Sequence, residues 1–142
     1  MEPAFWDSSS LVPLCIQQLS TQLAEALSQQ YEVVVWWAAP VEIRSAFARL
    51  LRMGQLTSTD INQAQVALDN LCINWREISP SEQIRDEAER LVDSFPLKAA
   101  DALQLAAALA WCLGRSKGRS FISGDRQLLD AARQLGFQAI QA

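Results

Sequence analysis

The chain predicts an α/β sandwich around a mostly parallel sheet of about five strands. Three observations carry this. Short β-branched or aromatic runs alternate with longer helical patterns, and the links between them are short. Half of the 142 residues are hydrophobic and 20% charged, enough apolar matter for a sizeable core. No internal repeat and no linker interrupts the pattern, so residues 1–142 read as a single domain.

The elements follow in order. Ala4 to Trp6 is an apolar run ending at Asp7, the first strand. After Ser8-Ser9-Ser10, Leu11, Cys15, Leu19 and Leu23 recur every fourth residue, which predicts one helix running on to Ser28. Tyr31 to Trp37 is β-branched and aromatic, a buried strand. Pro40 fits the first turn of a helix whose apolar face is Ile43, Phe47, Leu50 and Leu51, stopped by Gly54. Ser58-Thr59-Asp60 opens another, with Ile61, Ala64, Leu68 and Leu71 on one face.

Trp75 to Ile78 is a short strand candidate, and Ser79 to Glu82 a turn into a polar helix ending near Ser94. Pro96 starts the most apolar helix, Leu97 to Leu113. Gly114 to Gly118 is a basic loop, and Arg119 to Ile122 a strand turning at Gly124-Asp125. A helix from Arg126 to Leu135 stops at Gly136, and Phe137 to Ile140 closes the sheet as an edge strand. Trp6, Trp36, Trp37 and Trp111 are expected in the core; the pattern assigns Trp75 no place.

Composition excludes much chemistry. Twelve Lys and Arg stand against 16 Asp and Glu, a net charge of -4, so no broad basic surface carries bulk nucleic-acid affinity. There is no histidine. Ser-His-Asp and Cys-His nucleophiles are therefore excluded, as are zinc sites containing histidine. Cys15, Cys72 and Cys112 form no CxxC and are odd in number, so they read as reduced, buried thiols of a cytosolic protein. The N-terminus lacks the basic start of a signal peptide. The longest apolar runs, Val33 to Val41 and Ala99 to Leu113, fall short of a membrane span or carry Asp101 and Gln104. A soluble, cytoplasmic protein with no membrane partner is expected.

Carboxylates then carry the polar chemistry. Asp7 ends the first strand, Glu42 lies just inside the helix after the second, Asp101 is in the first turns of the alanine-rich helix, and Asp125 follows the Phe121-Ile122 strand. In an open parallel sheet, residues beyond the carboxyl ends of strands gather on one edge, where ligands bind. Singly, Asp7 and Asp125 could be helix N-caps, and Glu42 and Asp101 favourable first-turn acids. Asp101, however, has mostly apolar neighbours, and a carboxylate drawn toward a buried face needs a partner or a cation. Four clustered carboxylates form a hard-oxygen site suited to Mg²⁺ or Mn²⁺.

Phe5-Trp6-Asp7-Ser8-Ser9, Glu42 after a hydrophobic strand, Leu97-Lys98-Ala99-Ala100-Asp101-Ala102-Leu103-Gln104 and Phe121-Ile122-Ser123-Gly124-Asp125 together resemble PIN domains. The likeness is nearest to the VapC-like toxin ribonucleases of bacterial toxin–antitoxin pairs, and it spans nearly the whole chain. It implies a PIN-like three-layer sandwich and a metal-dependent endoribonuclease. Asp7, Glu42, Asp101 and Asp125 would hold one or two Mg²⁺ or Mn²⁺ ions and serve the hydrolysis of RNA to 5′-phosphate and 3′-hydroxyl ends. It further implies a cognate antitoxin and a homodimer. Many relatives have histidine where this chain has Gln104, and a residue other than glycine at Gly124.

Ser9 and Ser123 are candidate hydroxyls for orienting the carboxylates. Arg49, seven residues after Glu42, Lys98, three before Asp101, and Arg115, Lys117 and Arg119 of the basic loop form a candidate RNA rim. Other readings are a PIN nuclease of RNA processing that is no toxin, and a PIN-fold binding module that no longer cuts. A haloacid-dehalogenase-type phosphatase would need a second Asp where Ser9 stands, and a receiver domain leaves Asp101 unexplained.

Overall fold

The computed structural model describes all 142 residues. Strands β1 (Glu2–Trp6), β2 (Tyr31–Trp36), β3 (Arg76–Ile78), β4 (Ser120–Ser123) and β5 (Gln138–Gln141) form one sheet in the order β3-β2-β1-β4-β5. Every neighbouring pair is parallel, so the mostly parallel sheet expected is wholly so. Seven helices connect and cover it: α1 (Ser8–Cys15), α2 (Thr21–Ser28), α3 (Ala39–Arg52), α4 (Ser58–Asn74), α5 (Glu82–Ser94), α6 (Ala99–Trp111) and α7 (Arg126–Gln134).

Alternation along the strands divides the core in two. Phe5, Val34, Trp36 and Phe121 pack with Ile84 and Leu91 of α5, Leu105 of α6 and Leu128 of α7. Phe5 is in register with both Val34 and Phe121, and its ring stacks on Phe121 at 5.6 Å between centroids. Ala4, Trp6, Val35 and Ile122 meet Leu11 of α1, Leu27 of α2, Ile43 and Phe47 of α3, and Leu68 of α4. Strands buried on both faces between helical layers make a three-layer sandwich. Ala102, Ala106, Ala107 and Ala108 are all buried in α6, whose small side chains let it sit close among its neighbours.

Three expectations require correction. The helix expected from Ser8 to Ser28 is two, α1 and α2, separated at residues 16–20. Pro13 lies inside α1 and lacks the N–H that would bond the preceding turn. The Thr21 hydroxyl then donates to the Pro13 carbonyl at 2.8 Å and accepts the Gln18 N–H at 2.8 Å, closing the break. Leu19, expected on the apolar face, is fully exposed in the link.

Trp37, expected in the core, is 55% exposed. The β2–β3 ladder ends with Trp36 opposite Ile78, and Trp37 lies in the turn beyond it. Of the cysteines only Cys112 is buried; Cys15, the last residue of α1, and Cys72, within α4, are half-buried. All three thiols are free, and burial, with Cys72 nearby, pushes the Cys15 thiol up to about 12, so it stays protonated.

Smaller details refine the reading. α4 starts at Ser58, the first residue of its opening triplet, and Thr57 before it forms a reciprocal capping box with Asp60. Trp75 packs in the α1–α4 layer and its indole N–H donates to Glu77 Oε2 at 3.0 Å. No helix is long and apolar enough to cross a membrane.

Candidate functional site

The chain steps outward from β1 to β2 to β3, then returns to β4 on the other side of β1. That reversal opens a crevice beyond the carboxyl ends of β1 and β4, the place where parallel sheets bind ligands. Asp7 follows β1 directly, and its backbone N–H donates to the Ile122 carbonyl at 2.9 Å, extending the β1–β4 ladder by one bond. Glu42 lies in the first turn of α3 and Asp101 in the first turn of α6. Asp125 precedes α7. All four line one cleft of about 580 Å³, together with Ser8, Ser9, Gln18, Ser45 and Arg49. The four acids expected at one sheet edge all border this cleft, without three of them forming a close group.

The capping explanation holds for one of them. Asp125 caps α7 through Oδ1, which accepts the Leu128 N–H at 3.2 Å. Asp7 makes no side-chain cap to α1, although it occupies the cap position. Its Oδ2 instead accepts hydrogen bonds from the hydroxyls of Ser9 and Ser123, the latter at 2.8 Å. Ser123 Oγ in turn accepts the Asp125 N–H at 3.0 Å, and Ser9 Oγ accepts the Gly124 N–H at 3.1 Å. Both serines thus meet Asp7 at the same carboxylate oxygen.

Glu42 has a different support. Its Oε1 accepts from Ser8 Oγ at 2.7 Å and from the Gln104 side-chain amide at 2.6 Å, while the same amide reaches Ser8 Oγ at 2.8 Å. Sequence reasoning assigned no role to Ser8 and left Gln104 as a mere departure. The available signal was spacing: Gln104 is one helical turn beyond Asp101 and so shares its face. Gln18 reaches the cleft only because the first helix breaks, which the sequence did not reveal.

Electrostatics bind the acids together. Asp7 is only 4% exposed, and burial pushes its carboxyl above the ordinary range. The bonds from Ser9 and Ser123 pull it back, while the charges of Glu42 and Asp125 push it further up. Burial, then the charges of Asp7 and Asp125, raise Asp101 to about 6, with Lys98 opposing. Carboxylates that raise one another at this range form a site whose negative charge is uncompensated by the protein.

Cations are sparse here. Arg49 lines the cleft and Lys98 acts on Asp101. Arg115, Lys117 and Arg119 do not join them: their loop leads into β4, and a parallel sheet places the entrance and exit of a strand at opposite edges. Arg119 instead lies over the Trp111 ring, 5.4 Å from its centroid.

The donor set suits a hard divalent cation, since every candidate ligand is a carboxylate oxygen. Asp7 Oδ2, Glu42 Oε1 and Asp125 Oδ1 are engaged by the protein, which leaves Asp7 Oδ1, Glu42 Oε2, Asp125 Oδ2 and both Asp101 oxygens without a protein hydrogen bond. No three of the acids stand close enough to ring a single ion. Binding one therefore requires side-chain rotation or bridging water, which the shared cleft allows.

No family model and no curated protein matches the chain. Among solved structures it is similar to PAE2754 from Pyrobaculum aerophilum, a crystal structure, with 18% identity and a TM-score of 0.67. The match covers 99% of this chain and 83% of that one. A likeness at this identity shows a shared fold.

Proposed function

We propose that this protein is a Mg²⁺- or Mn²⁺-dependent endoribonuclease of the PIN-domain kind, acting in the cytoplasm as the toxin of a toxin–antitoxin pair. The observation that carries the reading is the single cleft at the β1–β4 crevice that gathers Asp7, Glu42, Asp101 and Asp125 without any histidine. The four sequence motifs that resemble this family supply those same four acids.

A divalent cation held by these oxygens supplies Lewis acidity, acidifying water and offsetting the charge of the phosphodiester. The residues of the chain do the rest. Ser9 and Ser123 hold Asp7 Oδ2, so that its other oxygen keeps one direction. Ser8 and Gln104 do the same for Glu42. Asp101 offers two oxygens free of protein hydrogen bonds, and a cation beside it would offset the charges of Asp7 and Asp125 that raise its carboxyl without metal. Arg49 lies on the cleft wall, where it can meet a backbone phosphate. Water adds at phosphorus as the bond to the departing 3′ oxygen breaks, leaving a 5′-phosphate and a 3′-hydroxyl.

The direct test is cleavage of a panel of single-stranded and structured RNAs by the purified protein with Mg²⁺, with Mn²⁺ and with chelator, beside an Asp7→Ala/Asp101→Ala variant. Metal-dependent cutting that disappears in the variant is expected. A folded protein that cuts no RNA favours a second reading, a PIN-fold binding module, which the separation of the acids also supports. A small neighbouring gene encoding a DNA-binding antitoxin separates a toxin from a nuclease of RNA processing. A homodimer and an antitoxin segment laid across the acidic cleft complete the proposal.

A further inference from the structure

Gln104 is 1% exposed, in the middle of α6, beneath the cleft. Its amide nitrogen donates to Glu42 Oε1 and to Ser8 Oγ, and Ser8 donates to the same Glu42 oxygen, closing a three-membered ring of hydrogen bonds. Its amide oxygen is buried with no partner at all. Leucine would fill a similar volume without leaving an acceptor unpaired, so packing alone does not account for an amide here. Turning the amide over would set its oxygen against the Glu42 carboxylate, so the donors face Glu42. The side chain is held with its donors toward Glu42 although its acceptor gains nothing.

We infer that Gln104, with Ser8, is a positioning residue that pins Glu42 by Oε1 and leaves Oε2 as the one oxygen this acid offers a divalent cation. Asp7 is arranged the same way, with Ser9 and Ser123 on Oδ2. Gln104 carries no charge of its own, so the clamp orients Glu42 without adding a positive group to the cleft. Partners that orient a ligand act on affinity as strongly as many ligands do. The inference rests on the metal-site part of the function proposed above.

The test is titration of the whole protein with Mn²⁺ alone, followed by calorimetry, for wild type, Gln104→Leu, Ser8→Ala, Glu42→Gln and the Gln104→Leu/Glu42→Gln pair. Gln104→Leu should weaken Mn²⁺ binding by about ten- to a hundredfold, yet cause little further loss once Glu42 is Gln. In ¹⁵N-correlated spectra, one glutamine side-chain amide should exchange slowly with solvent and shift on Glu42→Gln. A folded Gln104→Leu protein that binds Mn²⁺ like wild type overturns the inference, as does an equal loss in the Glu42→Gln background. If Gln104→Leu fails to fold, Ser8→Ala decides by the same comparison. Wild type that binds Mn²⁺ in this manner but cuts no RNA keeps the clamp and sinks the nuclease; wild type that binds no Mn²⁺ sinks both.

Discussion

Ser123 Oγ lies 2.8 Å from Asp7 Oδ2 and accepts the Asp125 N–H at 3.0 Å. One hydroxyl therefore joins the end of β1, the end of β4 and the approach to α7. Ser123→Ala should leave a buried carboxylate oxygen short of a donor and cost about 1–3 kcal/mol. Urea unfolding at neutral pH measures it. Ser123→Thr, which keeps the hydroxyl, should recover most of the loss.

Asp101→Asn should abolish metal-dependent cleavage while leaving the metal-free fold as stable as wild type or slightly more so. Burial and the charges of Asp7 and Asp125 both act against its ionised form, and the amide removes that conflict. Thermal unfolding in chelator is the check. A clear fall in melting temperature would assign Asp101 a structural role instead.

Stability without metal should decline between about pH 4 and 6. Asp7 and Asp101 both hold their protons more tightly in the folded chain than in the unfolded one. Their contribution is complete below the ordinary carboxylate range and is lost as pH rises through the folded value, about 6 for Asp101. Asp60 is shifted the other way by its bonds with Thr57, but its effect falls at more acid pH. Melting curves across this range in chelator should slope downward for wild type and flatten for Asp7→Asn/Asp101→Asn.

Arg49 should matter to RNA binding and the loop cations should not. Arg49→Ala is expected to lower the slope of log Kd against log salt by about one, the signature of one lost phosphate contact. Arg115→Ala/Lys117→Ala should leave that slope unchanged, because these residues stand at the other edge of the sheet. Filter binding of a short single-stranded RNA in chelator separates the two cases.

The sheet and its four acids were legible for a shared reason. A parallel α/β chain writes its strands as short β-branched runs, and whatever follows each run falls on the same edge. Asp7 and Asp125 follow strands directly, and Glu42 and Asp101 open helices at that edge. The break at residues 16–20 was hidden because Leu11, Cys15, Leu19 and Leu23 keep helical spacing across it. What ends α1 is a proline and a threonine hydroxyl bonded back across eight residues. Trp37 misled because a strand's end depends on its neighbour: pairing stops at Trp36 opposite Ile78. The Ser8–Gln104–Glu42 ring spans three elements, and no local pattern encodes which oxygen meets which donor.

The two outer strands are brief and polar at their ends. β3 has three residues and exposes Arg76 and Glu77, while β5 has four and exposes Gln138 and Gln141. Such edges offer little template for strand addition, so they guard against fibrous aggregation through the sheet. The exposed apolar side chains Leu51, Met53, Val66 and Ile73 stand away from these edges, on α3, its C-cap and α4.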